Sequence, residues 1–160
     1  LEAGVSVVQI VGEFEDKLNA ADLTLLIQKP ETPVYVMADG RHFWRVIDNL
    51  MNNICKYAQP GTRVYVDLQE NGGQVELIFR NTSRYPLNIS SEELMERFVR
   101  GDESRNTEGS GLGISIAKSL MELMGGSFML YVDGDLFKVV LGFAQIAEEK
   151  EPLNEDESGK

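Results

Sequence analysis

The stretch that most constrains the fold is RHFWRVIDNLMNNICKYA, Arg41 to Ala58. At about 100° per residue, Phe43, Ile47, Leu50, Ile54 and Tyr57 fall on one side of a helix. Arg45, Asn49, Asn52, Asn53 and Lys56 fall within a narrow stripe on the other. Such a helix must press its first face into a core and leave the second open. A stripe of Glu and Lys would read as an ordinary solvated face. Three asparagines are different, because each costs about half a kcal/mol relative to good helix formers, and something should compensate. An amide oxygen can ligate a hard cation such as Mg²⁺, and Asn49 and Asn53, one turn apart, point their oxygens at one place. Lys56 on the same stripe can meet a phosphate as a point charge.

Around this helix, 160 residues, 42% of them hydrophobic, supply enough apolar surface for one well-buried domain. Residues 5 to 19, with Val7, Val8, Val11, Phe14 and Leu18 at helical spacing, predict one helix. DLTLLIQ and VYVM read as short strands divided by Pro30 and Pro33. TRVYVDLQ and QVELIFRN around ENGG form a hairpin, as do SFMLYV and LFKVVLGF around DGD. Ser90 followed by Glu93 fits a capping box opening a short helix through Phe98. Helices and strand pairs in this order predict a sheet with helices on one face. The formal charge of −11 argues against general attraction to nucleic acid or to an anionic membrane surface. Cys55, the only cysteine, reads as a buried, reduced, structural thiol. The tail from Ala147 to Lys160, with six acids and two lysines, lacks the burial needed to offset its ordering entropy and is expected to be disordered.

A second polar element follows the capping box. NTEGSGLGISIAKSLMELMGG, residues 106 to 126, places Gly109, Gly111 and Gly113 on alternate positions immediately before an amphipathic helix. Glycines that accept positive φ, joined to the unpaired amides and positive end of a helix, make an anion cradle. The spacing fits neither a P-loop nor a dinucleotide fingerprint. A polar loop between two helices has the form of a lid that closes on a nucleotide.

These motifs together resemble a known family. DNLMNNICKYA resembles the N box, ERFVRGDESR the F box and EGSGLGISIAKSLMELMGG the G2 box of sensor histidine kinases, in the ATPase superfamily shared with gyrase, Hsp90 and MutL. The resemblance implies an α/β fold, the two-layer α/β sandwich called the Bergerat fold, with a mixed, mostly antiparallel sheet packed on helices. It implies an N-terminal helix over residues 1–20 leading from a dimerisation region, and a catalytic domain over 21–146. ATP or ADP with Mg²⁺ would be the ligand. Asn53 corresponds to the metal ligand, with Asn49 facing the same region. Lys56 and Arg100 correspond to phosphate contacts and Tyr57 to a nucleotide contact. Asn81 and Leu94 would meet the adenine and Phe98 would anchor the lid. Gly109, Ser110, Gly111, Leu112 and Gly113 would form the cradle.

Two departures refine what the resemblance implies. The family's G1 box reads Asp-x-Gly-x-Gly, whereas here Asn81 stands for the Asp and both glycines are absent; an Asn carbonyl still accepts from the adenine amino group, without charge assistance. In the superfamily members that hydrolyse ATP, a Glu acting as general base corresponds to Asn49, and an amide cannot take that proton. The resemblance therefore implies phosphoryl transfer to a protein nucleophile. In the family that nucleophile is a histidine on a separate helical hairpin that also dimerises. His42, the only histidine, lies in DGRHFW, which does not resemble the acceptor pattern, and is expected on the surface or at a helix end. The expected partners are that hairpin domain of the same parent protein and a response regulator. The expected setting is a monomeric cytoplasmic domain of a membrane-anchored sensor. An anti-sigma-type serine kinase and a weakly nucleotide-binding interaction module of the same fold are the alternatives.

Overall fold

The computed structural model describes the backbone of residues 1–104 and 112–147, and the side chains of all of these except 100–104 and 112. In chain order the elements are α1 (Ala3–Gly12), α2 (Glu15–Ala20), β1 (Leu23–Gln28), β2 (Tyr35–Val36), α3 (Gly40–Tyr57), β3 (Thr62–Asn71), β4 (Gln74–Thr82), α4 (Ser91–Ser104), α5 (Leu112–Leu123), β5 (Ser127–Asp133) and β6 (Leu136–Ile146). The sheet runs β1–β3–β4–β6. Along the far edge of β6, β5 pairs with residues 136–142 and β2 with residues 145 and 146. The β1–β3 pair is parallel and every other pair antiparallel. This is the expected mixed, mostly antiparallel sheet.

Alternation decides which face of the sheet meets the helices. Val64, Val66 and Leu68 of β3, Val75, Leu77 and Phe79 of β4, and Phe137, Val139, Leu141 and Phe143 of β6 are buried in one core with Phe43, Val46, Ile47, Leu50, Met51 and Ile54 of α3. The opposite face carries Arg80, whose guanidinium donates to the buried Asp67 carboxylate at 2.8 Å and lies 4.8 Å from the Tyr65 ring. Turn chemistry sets the register. Gly72 and Gly73, at φ 58° and 83°, make the two-residue β3–β4 connection, where positive φ at both positions matches strand twist. At the end of α5, Gly125 at φ 77° lets the Gly126 N–H donate to the Met121 carbonyl at 2.9 Å, a Schellman closure.

Three boundaries differ from expectation. The helix expected over residues 5–19 is two helices. The Glu13 and Phe14 N–H groups donate to the Ile10 and Val11 carbonyls, a tightened turn, before Leu18 N–H restores the helical pattern to Phe14. Phe14 and Leu18 remain buried beside Val7 and Val11, so the apolar period runs through a break in the backbone. Helix α4 does not stop at Phe98 but continues to Ser104. Its Ser90 cap accepts from Glu93 N–H at 3.1 Å as expected, while the Glu93 carboxylate faces Arg97 at 3.7 Å. Strand β4 runs through Asn81 to Thr82, into the segment expected as loop.

Among the described residues no helix is long and apolar enough to cross a membrane. The acidic tail expected to be disordered lies, from residue 148, outside the described residues.

Candidate functional site

Helix α3 begins at an Asp39 cap whose carboxylate accepts from Arg41 N–H at 2.9 Å and His42 N–H at 3.2 Å. Those two bonds hold the Asp39 carboxyl below its ordinary range. His42 is thereby a helix-start residue, half-buried. The far end of α3 stops at Ala58, where the backbone turns extended ahead of Pro60.

The polar stripe is divided between two neighbours. On one flank Asn52 is committed. Its Oδ1 accepts from Lys17 Nζ of α2 at 2.8 Å, and its Nδ2 donates to the Asp48 carbonyl at 3.0 Å and carboxylate at 3.3 Å. Burial raises the Asp48 carboxyl, against the opposing pull of Lys17. Burial likewise raises the half-buried Cys55 thiol, consistent with an inert structural role. Asn52 therefore ties α2 to α3 and does not share the face of Asn49 and Asn53. On the other flank α5 crosses at its first turn. A Cβ placed on Gly113 would sit 3.4 Å from Asn49 Cβ and 3.5 Å from the Asn49 carbonyl, so the glycine sets a close helix approach. The Asn49 Nδ2 is buried there with no hydrogen-bond partner among the described residues, an uncompensated donor of the kind that calls for a ligand or water. Asn53 is half-buried and Lys56 exposed, with its Nζ 5.5 Å from the Tyr57 ring centre.

The other end of the stripe is joined to the sheet by backbone bonds. Arg84 N–H donates to the Tyr57 carbonyl at 2.8 Å and Gln59 N–H to the Thr82 carbonyl at 2.8 Å, while Ala58 and Ser83 form a bridge. The β5–β6 turn closes from the other side. Ser83 N–H donates to the Asp135 carbonyl at 2.6 Å and Leu87 N–H to the Gly134 carbonyl at 3.2 Å. Ser83 Oγ accepts from Tyr85 N–H at 3.2 Å, a side-chain turn where the resembled family has glycine. Asn81, immediately before this junction, is buried on the core-facing side of β4 and registers with Phe137 of β6. Phe98 of α4 meets Phe137 edge to face at 6.4 Å between ring centres, and Leu94 packs on the same core.

The fold thus sets Gly113 against Asn49 on α3, joins the Tyr57 end of α3 to the strand end that carries Asn81, and seats Phe98 on Phe137, the residue paired with Asn81. Arg100 lies on α4 and Leu112 starts α5, but their side chains are outside the described residues, as are Gly109, Ser110 and Gly111. Elsewhere on α4, Glu92, Met95, Glu96 and Val99 line an open cavity of about 590 Å³. Its two carboxylates repel phosphate, and it lacks the amide set of α3. Ser83 and Phe137 are framework residues that sequence reasoning did not single out, whereas the Gly134–Asp135 turn belongs to the expected DGD connection. Only Ser83 carries a local signal, a hydroxyl two residues before a tyrosine amide in a Pro-containing turn.

A two-layer α/β sandwich with an amide-lined helix edge facing a glycine-entered helix defines a class of nucleotide-dependent domains. The match is specific: residues 38–152 fit the family described as histidine kinase-, DNA gyrase B- and HSP90-like ATPases, and the chain belongs to that family. Over 110 residues, 66% of this chain, it is 34% identical to the probable sensor protein PcoS of Escherichia coli. It is 29% identical to the sensor histidine kinase YcbM of Bacillus subtilis over 115 residues, 71% of this chain. The chain spans 24% of the first relative's length and 37% of the second's. Among solved structures, the catalytic domain of the histidine kinase ThkA superposes with a TM-score of 0.77 over 91% of this chain and 93% of that one, at 18% identity. Full-length ShkA in complex with AMPPNP superposes with a TM-score of 0.71 over 92% of this chain and 32% of that one, at 19% identity.

Proposed function

We propose that this chain is the ATP-binding catalytic domain of a sensor histidine kinase, holding Mg²⁺-ATP along the edge of α3 and directing its γ-phosphoryl to a histidine on a separate helical domain. The observation that carries the reading is the pairing of Asn49 and Asn53 on one face of α3 with the first turn of α5 packed against it across Gly113. Two polar features fit a nucleotide there. The buried Asn49 Nδ2 lacks a partner among the described residues, and Asn81 is buried on the core-facing side of β4 beside the α3 terminus. The donor set also fits. Among the described residues no three His, Cys, Asp or Glu side chains gather into a metal site. A metal held by amide oxygens alone would be weak, whereas Mg²⁺ commonly takes only one or two protein ligands and completes its shell with substrate phosphates and water.

When bound, Mg²⁺-ATP supplies the activated phosphoryl group and the cation that offsets its charge. The chain positions it. In this reading Asn53 contributes an oxygen to the metal and Asn49 orients the metal-phosphate region. Lys56 and Arg100 balance phosphate charge, and the α5 N-terminus with the glycines before it receives the phosphates. Tyr57, Leu94 and Asn81 hold the base, and Phe98, seated on Phe137, fixes α4 beside it. Because position 49 carries an amide, the site holds no general base there for water, which favours transfer to a protein acceptor over hydrolysis. The helical acceptor domain, the response regulator downstream of it and the membrane anchor of the parent protein belong to this proposal.

The test supplies the chain with Mg²⁺, labelled ATP and a phosphoacceptor hairpin from a related sensor kinase. Acid-labile, base-stable label on the hairpin histidine is expected, with little free phosphate. Acid-stable label would favour a serine kinase. Brisk phosphate release without transfer would overturn the kinase reading, and no nucleotide binding would leave an interaction module.

A further inference from the structure

We infer that Asn81 makes the base end of the site indifferent to whether a purine carries an amino or an oxo group at its 6-position, so that inosine triphosphate binds about as well as ATP. This rests on the nucleotide reading above and goes beyond it by naming the class of base accepted. Asn81 is only 4% exposed. Its backbone is fixed from both sides, in register with Val64 of β3 and Phe137 of β6. The next two residues are bonded to Gln59 N–H and to the Asp135 carbonyl. Yet among the described residues no hydrogen bond holds its side-chain amide. The anchor of the side chain is thus rigid, while its last torsion, broad and roughly two-fold for asparagine, is left for a ligand to set.

An amide offers an acceptor oxygen and a donor NH₂ from neighbouring positions. Adenine presents a donor at its 6-amino group and an acceptor at N1. A 6-oxo purine presents the reverse, an acceptor at O6 and a donor at N1–H. Turned one way, the Asn81 amide complements the first pattern, and turned through half a revolution it complements the second. A carboxylate has no such freedom, since both its oxygens accept. An Asp at this place would accept from the 6-amino group of adenine or from N1–H of a 6-oxo purine, and in either case would face a second acceptor, N1 or O6, with no donor to offer it. Polar groups dedicated to one pattern reject the analogue that leaves them unpaired, which is the stronger form of discrimination available to a binding site. Asn81 surrenders that discrimination.

The experiment is an equilibrium titration of the chain, with Mg²⁺, by ATP, by inosine triphosphate and by purine riboside triphosphate, which has no 6-substituent. ATP and inosine triphosphate are expected to bind within about threefold of one another, and purine riboside triphosphate about tenfold more weakly, as befits a ligand that forgoes one well-made hydrogen bond. In Asn81→Asp, which sets an acceptor against an acceptor with either base, both nucleotides should lose about tenfold relative to the parent. The base series on the parent chain does not depend on that variant folding. Preference for ATP over inosine triphosphate by about thirtyfold or more in the parent, or undiminished affinity for both nucleotides in a folded Asn81→Asp, overturns the inference while leaving the nucleotide reading in place. Failure of all three triphosphates to bind overturns the reading itself.

Discussion

The two ends of the exposed edge of α3 are built in different ways. Around Asn49 and Asn53 the geometry comes from side chains on one helix and from a glycine that lets α5 approach. Around Tyr57 it comes from main chain. Four backbone hydrogen bonds and a bridge lace the end of α3, residues 82–87 and the β5–β6 turn together. Side chains can be exchanged at the first end without disturbing the fold, because little of the core depends on them. At the second end the proposed binding surface and the framework are the same atoms, so damage to one is damage to both.

The sharpest way to test that contrast is Asn53→Ala. It should remove the Mg²⁺-dependent part of ATP affinity, about tenfold or more if one contact to a charged group is lost, while the unliganded melting temperature stays close to that of the parent. Calorimetric titration with and without Mg²⁺ reads the first, and thermal melts the second. Equal metal dependence in parent and variant would break the assignment.

Gly113 probes the helix approach. An alanine there meets Asn49 at ordinary contact distance and should be tolerated. Gly113→Val adds two methyl groups that must push α5 away, a cost of about 1–3 kcal/mol. Denaturant unfolding measures it, and a valine variant as stable as the alanine one would mean that the two helices yield easily.

At the laced end, Ser83→Ala should cost about 1 kcal/mol by leaving Tyr85 N–H without its side-chain acceptor. Stability and nucleotide affinity should fall together, and Ser83→Thr should restore both. A drop in affinity with stability intact would erase the difference between the two ends.

The smallest effects concern pH. Asp39 is depressed by its two amide donors, so its contribution is present above the ordinary value of 3.8 and is lost as pH falls through the folded value. Asp48 is raised by burial and has the opposite sign. Its stabilising protonation is present at low pH and lost as pH rises from 3.8 through the raised value. Melts between acid and neutral pH should show Asp48→Asn gaining on the parent across that upper window, and Asp39→Asn losing its disadvantage below the lower one.

Much of this architecture was legible because period and punctuation act locally. The α3 faces, both hairpins and the Ser90 cap are fixed by residues within a few positions of one another. What was not legible depended on distance along the chain. Asn52 reads as a member of the ligand stripe until Lys17, 35 residues earlier, is seen to bond it. The break between α1 and α2 is silent because Phe14 and Leu18 keep the apolar period that a single helix would have. Helix α4 outruns Phe98, its last anchor in the core, because the exposed Val99 and the glycine and polar residues after it give no periodic signal. Phe137 could be foreseen as core but not as the seat of Phe98, since that role is assigned by a strand pairing.

The N-terminal end of the chain is sewn to the short strand β2. Val36 N–H donates to the Leu1 carbonyl at 2.9 Å, Ala3 N–H donates to the Val34 carbonyl at 2.7 Å, and Glu2 bridges Tyr35. Strand β2 is in turn paired with β6 at Gln145 and Ile146, and Met37 N–H just beyond it donates to the Ala144 carbonyl at 3.1 Å. A pull on the chain at Leu1 would therefore load this small stitch first. Asn81 registers with Phe137, at the opposite end of β6, about 25–30 Å away at the rise of an extended strand. The stitch at the N-terminal end and the Asn81 junction thus sit at opposite ends of one strand, and a disturbance at the first has the length of β6 to cross before it reaches the second.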